Sequence, residues 1–435
     1  MYQGGGSFMI KKKIVLCAVC AALAVLAAFT AAEPAEAKQK AAWNYKKTLT
    51  KTSGAFTYHA YPSKKGKEAW IYRIDIQKKK KPTSISIPKK IEGRKVTWIG
   101  AKPKDPEGGL NLFGVCIERE HDYFRRSVTN KTIKKIVIPD TVEEIRPSSF
   151  CGMIALKSVK IPKKVKALKE EIFYACAGLE EVSLPAGLEK LDPAAFQDCP
   201  SLKKMGLPKK NKIFRMEGDC VISKKLQKVI YKLPGGQTLS IPEGVKSIGK
   251  YALNNCTATR VEIPASVTEI EGEAFHRPLL GPNTFIKDVA VSADSRTYAK
   301  DGQCVYHKLD QSLAVAIPDE KGVLYISEKV ESLTNTHSLV NCDANKGAEK
   351  VVFPKTLNSV IVPSFSISTI FRNVYFLGET PPRVTNHISG YASLPIFTHV
   401  YVPASSEELY RAWYTENHCS VNDVEWHIFQ PGSEI

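Results

Sequence analysis

A proline returns every 23 residues through the middle of this 435-residue chain. Pro139, Pro162, Pro185 and Pro208 keep that interval, and so do Phe150, Phe173 and Phe196. Segments starting at Ile133, Leu156, Leu179 and Leu202 align position by position. LSIPEGVKSIGKYALNNC from Leu239 and VEIPASVTEIEGEAF from Val261 continue the series, and Ile85-Ser86-Ile87-Pro88 with Val96 and Ile99 opens it. A fixed period of this length requires a stack of like units. Each unit reads as one solenoid coil. The apolar pair before the proline (Ile136 and Ile138) is a short strand with alternating faces. Proline has no N–H to give a sheet, so it ends the strand. A second pair such as Val142 and Ile145 turns inward on the next side, and an Ala-Phe step such as Ala195-Phe196 fills the wide end of the coil. One coil cannot bury its own apolar face, so neighbours must stack.

The cysteines follow the same period. Cys116, Cys176, Cys199 and Cys256 each lie three residues after Phe113, Phe173, Phe196 and Leu253. A small, stackable, weakly polar side chain suits such an interior slot. These residues, with Phe113, Phe150, Phe173, Phe196 and Phe275, are expected to form a buried structural ladder of free thiols and rings. A disulfide or metal site at the thiols is the competing reading.

A longer repeat, at an offset of 84, aligns residues 202–234 with 286–318. Gly218 matches Gly302 and Cys220 matches Cys304. The pattern predicts β-hairpins inserted between coils, near 209–238 and 292–322, with both cysteines in the core. The predicted fold is an α+β, mostly β repeat solenoid: coils with short parallel strands, inserted hairpins, a β-rich N-terminal cap and a C-terminal cap. The expected boundaries are a leader at 1–37, a basic cap at 38–95, a solenoid over 96–360 and degenerate last repeats with the closing cap over 361–435. A charged insertion at 101–132, containing EREHDYFRR, is expected as a surface loop. A short helix is expected over Ser406 to Tyr414.

The unit pattern, apolar-x-apolar-Pro-x-x-Val-x-x-Ile-x-x-x-Ala-Phe-x-x-Cys, resembles that of the BspA-type bacterial leucine-rich repeat proteins. IPKKIEGRKVTWIG resembles that family's entry segment, SADSRTYAKDGQCVYHK its inserted hairpin, and TPP followed by YVPASSEELYRAW a frequent C-terminal closure. The resemblance runs over about residues 80–430. It implies an exported or surface-displayed scaffold that binds or adheres to a protein or glycan ligand, with no catalytic residues and no cofactor. This chain departs from the pattern in the 101–132 insertion, at Leu253, and at His276-Arg277-Pro278, which stand where a cysteine is usual.

Lys11-Lys12-Lys13, the apolar run Ile14–Ala32 and Ala35-Glu36-Ala37 form the three parts of a secretory signal peptide. Cleavage near Ala37 is expected, with an uncleaved single anchor as the alternative. The destination is then extracellular, cell-surface or periplasmic, with no stable membrane span after cleavage. No sorting motif is apparent over Gln430 to Ile435. Cys17 and Cys20 fall in the leader, leaving nine of the 11 cysteines, too few and too odd in number for a dense disulfide framework.

Hydrophobic residues make up 43% of the chain, enough for a sizeable core, which excludes a disordered polyelectrolyte. The nine histidines are scattered and match no zinc or catalytic spacing, so no metal and no catalytic group is expected. The alternative reading is an envelope-associated structural protein held electrostatically on an anionic surface polymer; an envelope enzyme, with its chemistry in the 101–132 loop or the C-terminal cap, is the lesser one. The net charge of +18 is not spread evenly. Residues 38–95 hold 17 Lys plus Arg against Glu68, Asp75 and Glu92, a net +14. Lys64, Lys65, Lys67, Lys78, Lys79, Lys80, Lys81, Lys89 and Lys90 form a candidate anionic-surface patch, suited to an anionic cell-envelope polymer. The repeats are nearly neutral, so a nucleic-acid partner is not expected. A monomer is.

Overall fold

The computed structural model describes residues 43–430, apart from 78–79, 101–111, 114–116, 121–122, 127–129, 276–285, 335–337, 340–347, 362–369, 386–395 and 418–423. The leader, Cys116, Lys78, Lys79 and His276-Arg277-Pro278 lie outside the described residues. The chain is a mostly β solenoid of stacked coils. Strand Lys135–Val137 points Ile136 inward between exposed Lys135 and Val137. It pairs in parallel with Ser158–Lys160, and the series runs on through Glu181–Ser183 to Lys204–Gly206, with Ser84–Ser86 on the other side. The register places Ile85, Ile136, Val159, Val182 and Met205 in one buried row.

The proline does more than end the strand. Its carbonyl accepts the N–H of the residue three further on: Val142 at Pro139 (3.0 Å), Val165 at Pro162 (3.1 Å) and Leu188 at Pro185 (3.1 Å). Each proline therefore opens the turn that redirects the chain to the second side of the coil. There Ala167–Leu168 pairs in parallel with Lys190–Leu191. At the wide end the rings stack, Phe150 on Phe173 at 5.3 Å and Phe173 on Phe196 at 5.5 Å. Those spacings are close to the strand-to-strand distance of a sheet, so coil pitch and ring pitch agree.

Leu49–Ser53, Phe56–Pro62 and Glu68–Ile76 form an antiparallel meander at the N-terminal end. Glu68–Ile76 then pairs in parallel with Arg94–Ile99, which joins the meander to the first coil. Trp43, Trp70 and Trp98 meet edge-on or tilted, with centroids 5.6–5.8 Å apart. The Trp70 indole donates to the Gly100 carbonyl at 2.7 Å.

Three expectations need correction. The 101–132 insertion is not simply a loop, because Ile117–Glu120 pairs antiparallel with Tyr123–Arg126. Ile117, Tyr123 and Phe124 are strand-forming residues, which suits that pairing. The inserted hairpins are three-stranded. Phe214–Glu217, Cys220–Ser223 and Lys228–Lys232 run antiparallel, and the last then pairs in parallel with Ser247–Ile248 of the next coil. Tyr298–Asp301, Cys304–His307 and Leu313–Ala316 repeat the antiparallel part. Finally, the C-terminal segment carries the solenoid onward. Val323–Tyr325, Lys350–Phe353, Ile370–Phe376, Ile396–Pro403 and Glu425–Phe429 form one parallel sheet in that order. Val374, Val400 and Trp426 stand in register at a spacing of 26, not 23, which hid the coils from a 23-residue comparison.

The helix Glu407–Asn417 docks on the last coils through Tyr410, Trp413 and Tyr414, one face at helical spacing. Among the described residues three large apolar cores overlap along the chain, from Leu49 to Leu233, from Cys220 to Ile317 and from Cys304 to Tyr414, and Cys151, Tyr174 and Ala175 form a small fourth. Among the described residues no helix is long and apolar enough to cross a membrane.

Candidate functional site

The predicted structural ladder lies inside the molecule. Phe150, Phe173, Phe196 and Phe275 are buried, and Phe113 packs part-buried against the same core. The Cys176 thiol donates to the Phe150 carbonyl at 3.1 Å, and the Cys199 thiol donates to the Phe173 carbonyl at 3.1 Å. The slot is therefore a hydrogen-bonding one as well as an apolar one. Each thiol satisfies a main-chain oxygen of the coil before it. Burial, and behind it the neighbouring Cys176 thiol, pushes the Cys199 thiol well above its ordinary range. Cys256 differs from its predicted equivalents in being half-buried. The donor role there has passed to Asn255, whose side-chain amide reaches the Phe196 carbonyl at 2.6 Å and the Tyr231 hydroxyl at 2.8 Å. Cys151, Cys176, Cys199, Cys220, Cys256 and Cys304 are not joined in disulfides. Burial pushes Cys220 up to about 12 and Cys304 up to about 11, so neither is poised as a nucleophile.

The structure divides the predicted lysine patch. Lys64, Lys65, Lys67, Lys89 and Lys90 are exposed, and strand pairing brings Lys90 and Lys95 opposite each other. The Lys95 N–H donates to the Lys67 carbonyl, and the Lys51 ammonium donates to the Lys90 carbonyl. Lys80 and Lys81 are also exposed but follow the far end of the nine-residue strand Glu68–Ile76.

A second surface has no forerunner in the sequence. On the outward face of the C-terminal parallel sheet the register aligns two rows. One is Lys350, Asn373, His399 and Glu425; the other is Tyr325, Val352, Tyr375, Tyr401 and His427. Tyr375 stacks on Tyr401 at 4.1 Å with planes 6° apart, and Tyr401 stacks on His427 at 4.5 Å. The Lys350 ammonium stands over the Tyr375 ring at 4.7 Å and the Tyr325 ring at 5.7 Å. Tyr325 is 49% exposed. In contrast, Trp43, Trp70 and Trp413 are buried, out of reach of a sugar ring. The alternation in Val374-Tyr375-Phe376 and Val400-Tyr401-Val402 is the signal that could have marked the two tyrosines as outward partners.

The face of the N-terminal sheet is different in kind. Its outward rows hold Ser84, Lys135, Ser158, Glu181 and Lys204, then Ser86, Val137, Lys160, Ser183 and Gly206. Elsewhere on the coils, exposed ion pairs such as Lys157–Glu180 (2.5 Å) and Lys166–Glu189 (2.9 Å) link one coil to the next. A cleft of about 730 Å³ lies beside the first hairpin. Leu168, Leu191, Phe214 and Ile230 give it apolar walls, and Lys169, Glu189 and Lys225 give it a charged rim.

A model of the BspA type Leucine rich repeat region matches six copies, over residues 125–235 and 224–291. The coils over residues 125–291 are similar in sequence to BspA-type leucine-rich repeats. Three solved structures align with much of the chain. A leucine rich cell surface protein from Faecalibacterium prausnitzii A2-165 shares 15% identity, covering 76% of this chain and 96% of its own, with a TM-score of 0.39. The pneumococcal vaccine antigen PcpA shares 13% identity, covering 87% and 98%, with a TM-score of 0.33. A leucine-rich repeat protein from Bacteroides ovatus shares 14% identity, covering 87% and 100%, with a TM-score of 0.30. No curated protein matches the chain in sequence.

Proposed function

We propose that this chain is a non-enzymatic binding scaffold, exported to the bacterial surface, that holds a protein ligand on the outward face of its C-terminal sheet. The tyrosine stripe is the observation that carries this reading. Rings stacked at 4.1 Å form a rigid apolar strip, while Lys350, Asn373, His399 and Glu425 set charge and hydrogen-bonding groups beside it. Such a mixture of fixed aromatic anchors and adaptable polar neighbours is what protein interfaces concentrate. A repeat solenoid supplies a long, flat support for it. The exposed lysines of the N-terminal cap make a second contact, holding the protein near an anionic envelope polymer.

A photo-crosslinking amino acid placed at Tyr325 tests the assignment against the same group placed at Val137, which is exposed on the N-terminal face. Specific protein adducts at position 325 and none at 137 are expected. Equal labelling at both, or adducts with carbohydrate in place of protein, overturns the reading.

A further inference from the structure

Across strands Ile396–Pro403 and Glu425–Phe429, three ligand-type side chains converge on one point of the outward face. Cross-strand register sets His399 opposite Glu425, and Tyr401 opposite His427, so the two histidines are diagonal neighbours. The His399 Nδ1 lies 3.1 Å from the His427 Nε2 and 3.1 Å from a Glu425 Oε2. The third edge, from His427 Nε2 to the same carboxylate oxygen, is 4.0 Å. We infer that His399, Glu425 and His427 form a surface binding site for a divalent transition-metal ion of the zinc class.

The edges fit the chemistry. Ligand atoms about 2.0–2.2 Å from a tetrahedral ion stand about 3.4 Å from one another. The observed triangle brackets that value and needs only small side-chain rotations. Two imidazoles with one carboxylate select zinc, copper or nickel, and disfavour calcium and magnesium, which prefer oxygen shells. Their side chains are 33% (His399), 38% (His427) and 70% (Glu425) exposed, so an ion reaches the site directly. Coordination positions remain open outward for water or for a donor group of a bound partner. The backbone beneath is fixed, because both strands are held by parallel pairing and His427 is held flat against Tyr401.

The site also has a place in the architecture. Among the described residues Glu425–Phe429 is the last strand of its sheet and pairs on one side alone. An ion shared between His399 and the Glu425/His427 pair ties that edge strand to its neighbour. The inference is independent of whether the tyrosine stripe binds a protein.

Calorimetric titration of the full chain with zinc chloride tests it. One ion per chain is expected, weakened at least tenfold in His399→Ala and in His427→Ala, and unchanged in His59→Ala and His307→Ala. Cobalt substitution in the unaltered protein gives a readout that does not depend on a variant folding. A spectrum of a nitrogen- and oxygen-ligated ion supports the site, and a thiolate charge-transfer band contradicts it. Zinc held equally by the His399 and His427 variants, or no binding at about 100 μM zinc, overturns the inference.

Discussion

At the scale of single residues, the repeat is held by side chains that answer main-chain carbonyls. Cys176, Cys199 and Asn255 donate in turn to the carbonyls of Phe150, Phe173 and Phe196. The last of these spans the inserted hairpin, because Asn255 lies 59 residues beyond Phe196. Removing a donor strands a buried acceptor, which costs about 1–3 kcal/mol. Asn255→Ala removes the donor to two buried oxygens, so its loss is expected near the top of that range, as read by chemical denaturation. Cys199→Ala, which removes a single weaker donor, is expected near the bottom. Burial holds both thiols out of reach. Native protein is therefore expected to leave Cys176 and Cys199 unlabelled by a thiol reagent that modifies both in denaturant; rapid native labelling of either contradicts the buried ladder. The spacing of these cysteines was legible in the sequence. Their hydrogen bonds were not, because a periodic pattern reports which slot a residue fills and not which carbonyl faces it. The exchange of Cys256 for Asn255 as donor is invisible for the same reason.

At the scale of elements, legibility followed the period. The strand-proline-turn unit was readable because proline acts on chain geometry directly, by ending a strand and offering its carbonyl to the next turn. The C-terminal coils were legible only as degenerate last repeats with a closing cap, because their spacing of 26 admits extra residues between strands while the sheet register stays intact. That spacing concealed the tyrosine stripe and the His399–Glu425–His427 triangle. Each is assembled by parallel pairing from residues that form no local motif. The junction between the N-terminal meander and the first coil depends on one glycine. Gly100 has φ +118°, accepts from Trp70, and an added Cβ would stand 2.3 Å from the Ser149 hydroxyl and 2.6 Å from the Arg146 Cβ. Gly100→Ala combines backbone strain with a clash, and a loss of about 2–4 kcal/mol is expected. A melting curve matching the unaltered protein contradicts that packing.

At the scale of the whole molecule, three overlapping cores run the length of a solenoid whose two ends present different surfaces. The N-terminal end carries the basic excess and a stacked Tyr61–Tyr72 pair, and the C-terminal end carries the Tyr375–Tyr401–His427 stack beside Lys350. Electrostatic attraction between exposed charges is screened beyond about 8 Å at physiological ionic strength. Attachment to an anionic polymer through the lysines is therefore expected to fall sharply between low and moderate salt. Capture of a protein by the tyrosine face is expected to persist, because ring burial does not depend on screening. The most direct test of the scaffold account compares the full chain with a Tyr375→Ser/Tyr401→Ser variant at moderate salt, on a panel of immobilised extracellular proteins and glycans. The account predicts that the unaltered chain retains a protein ligand and that the variant, with an unchanged melting curve, loses at least tenfold in affinity. Equal affinity in the two chains, or retention of glycans alone, would contradict it.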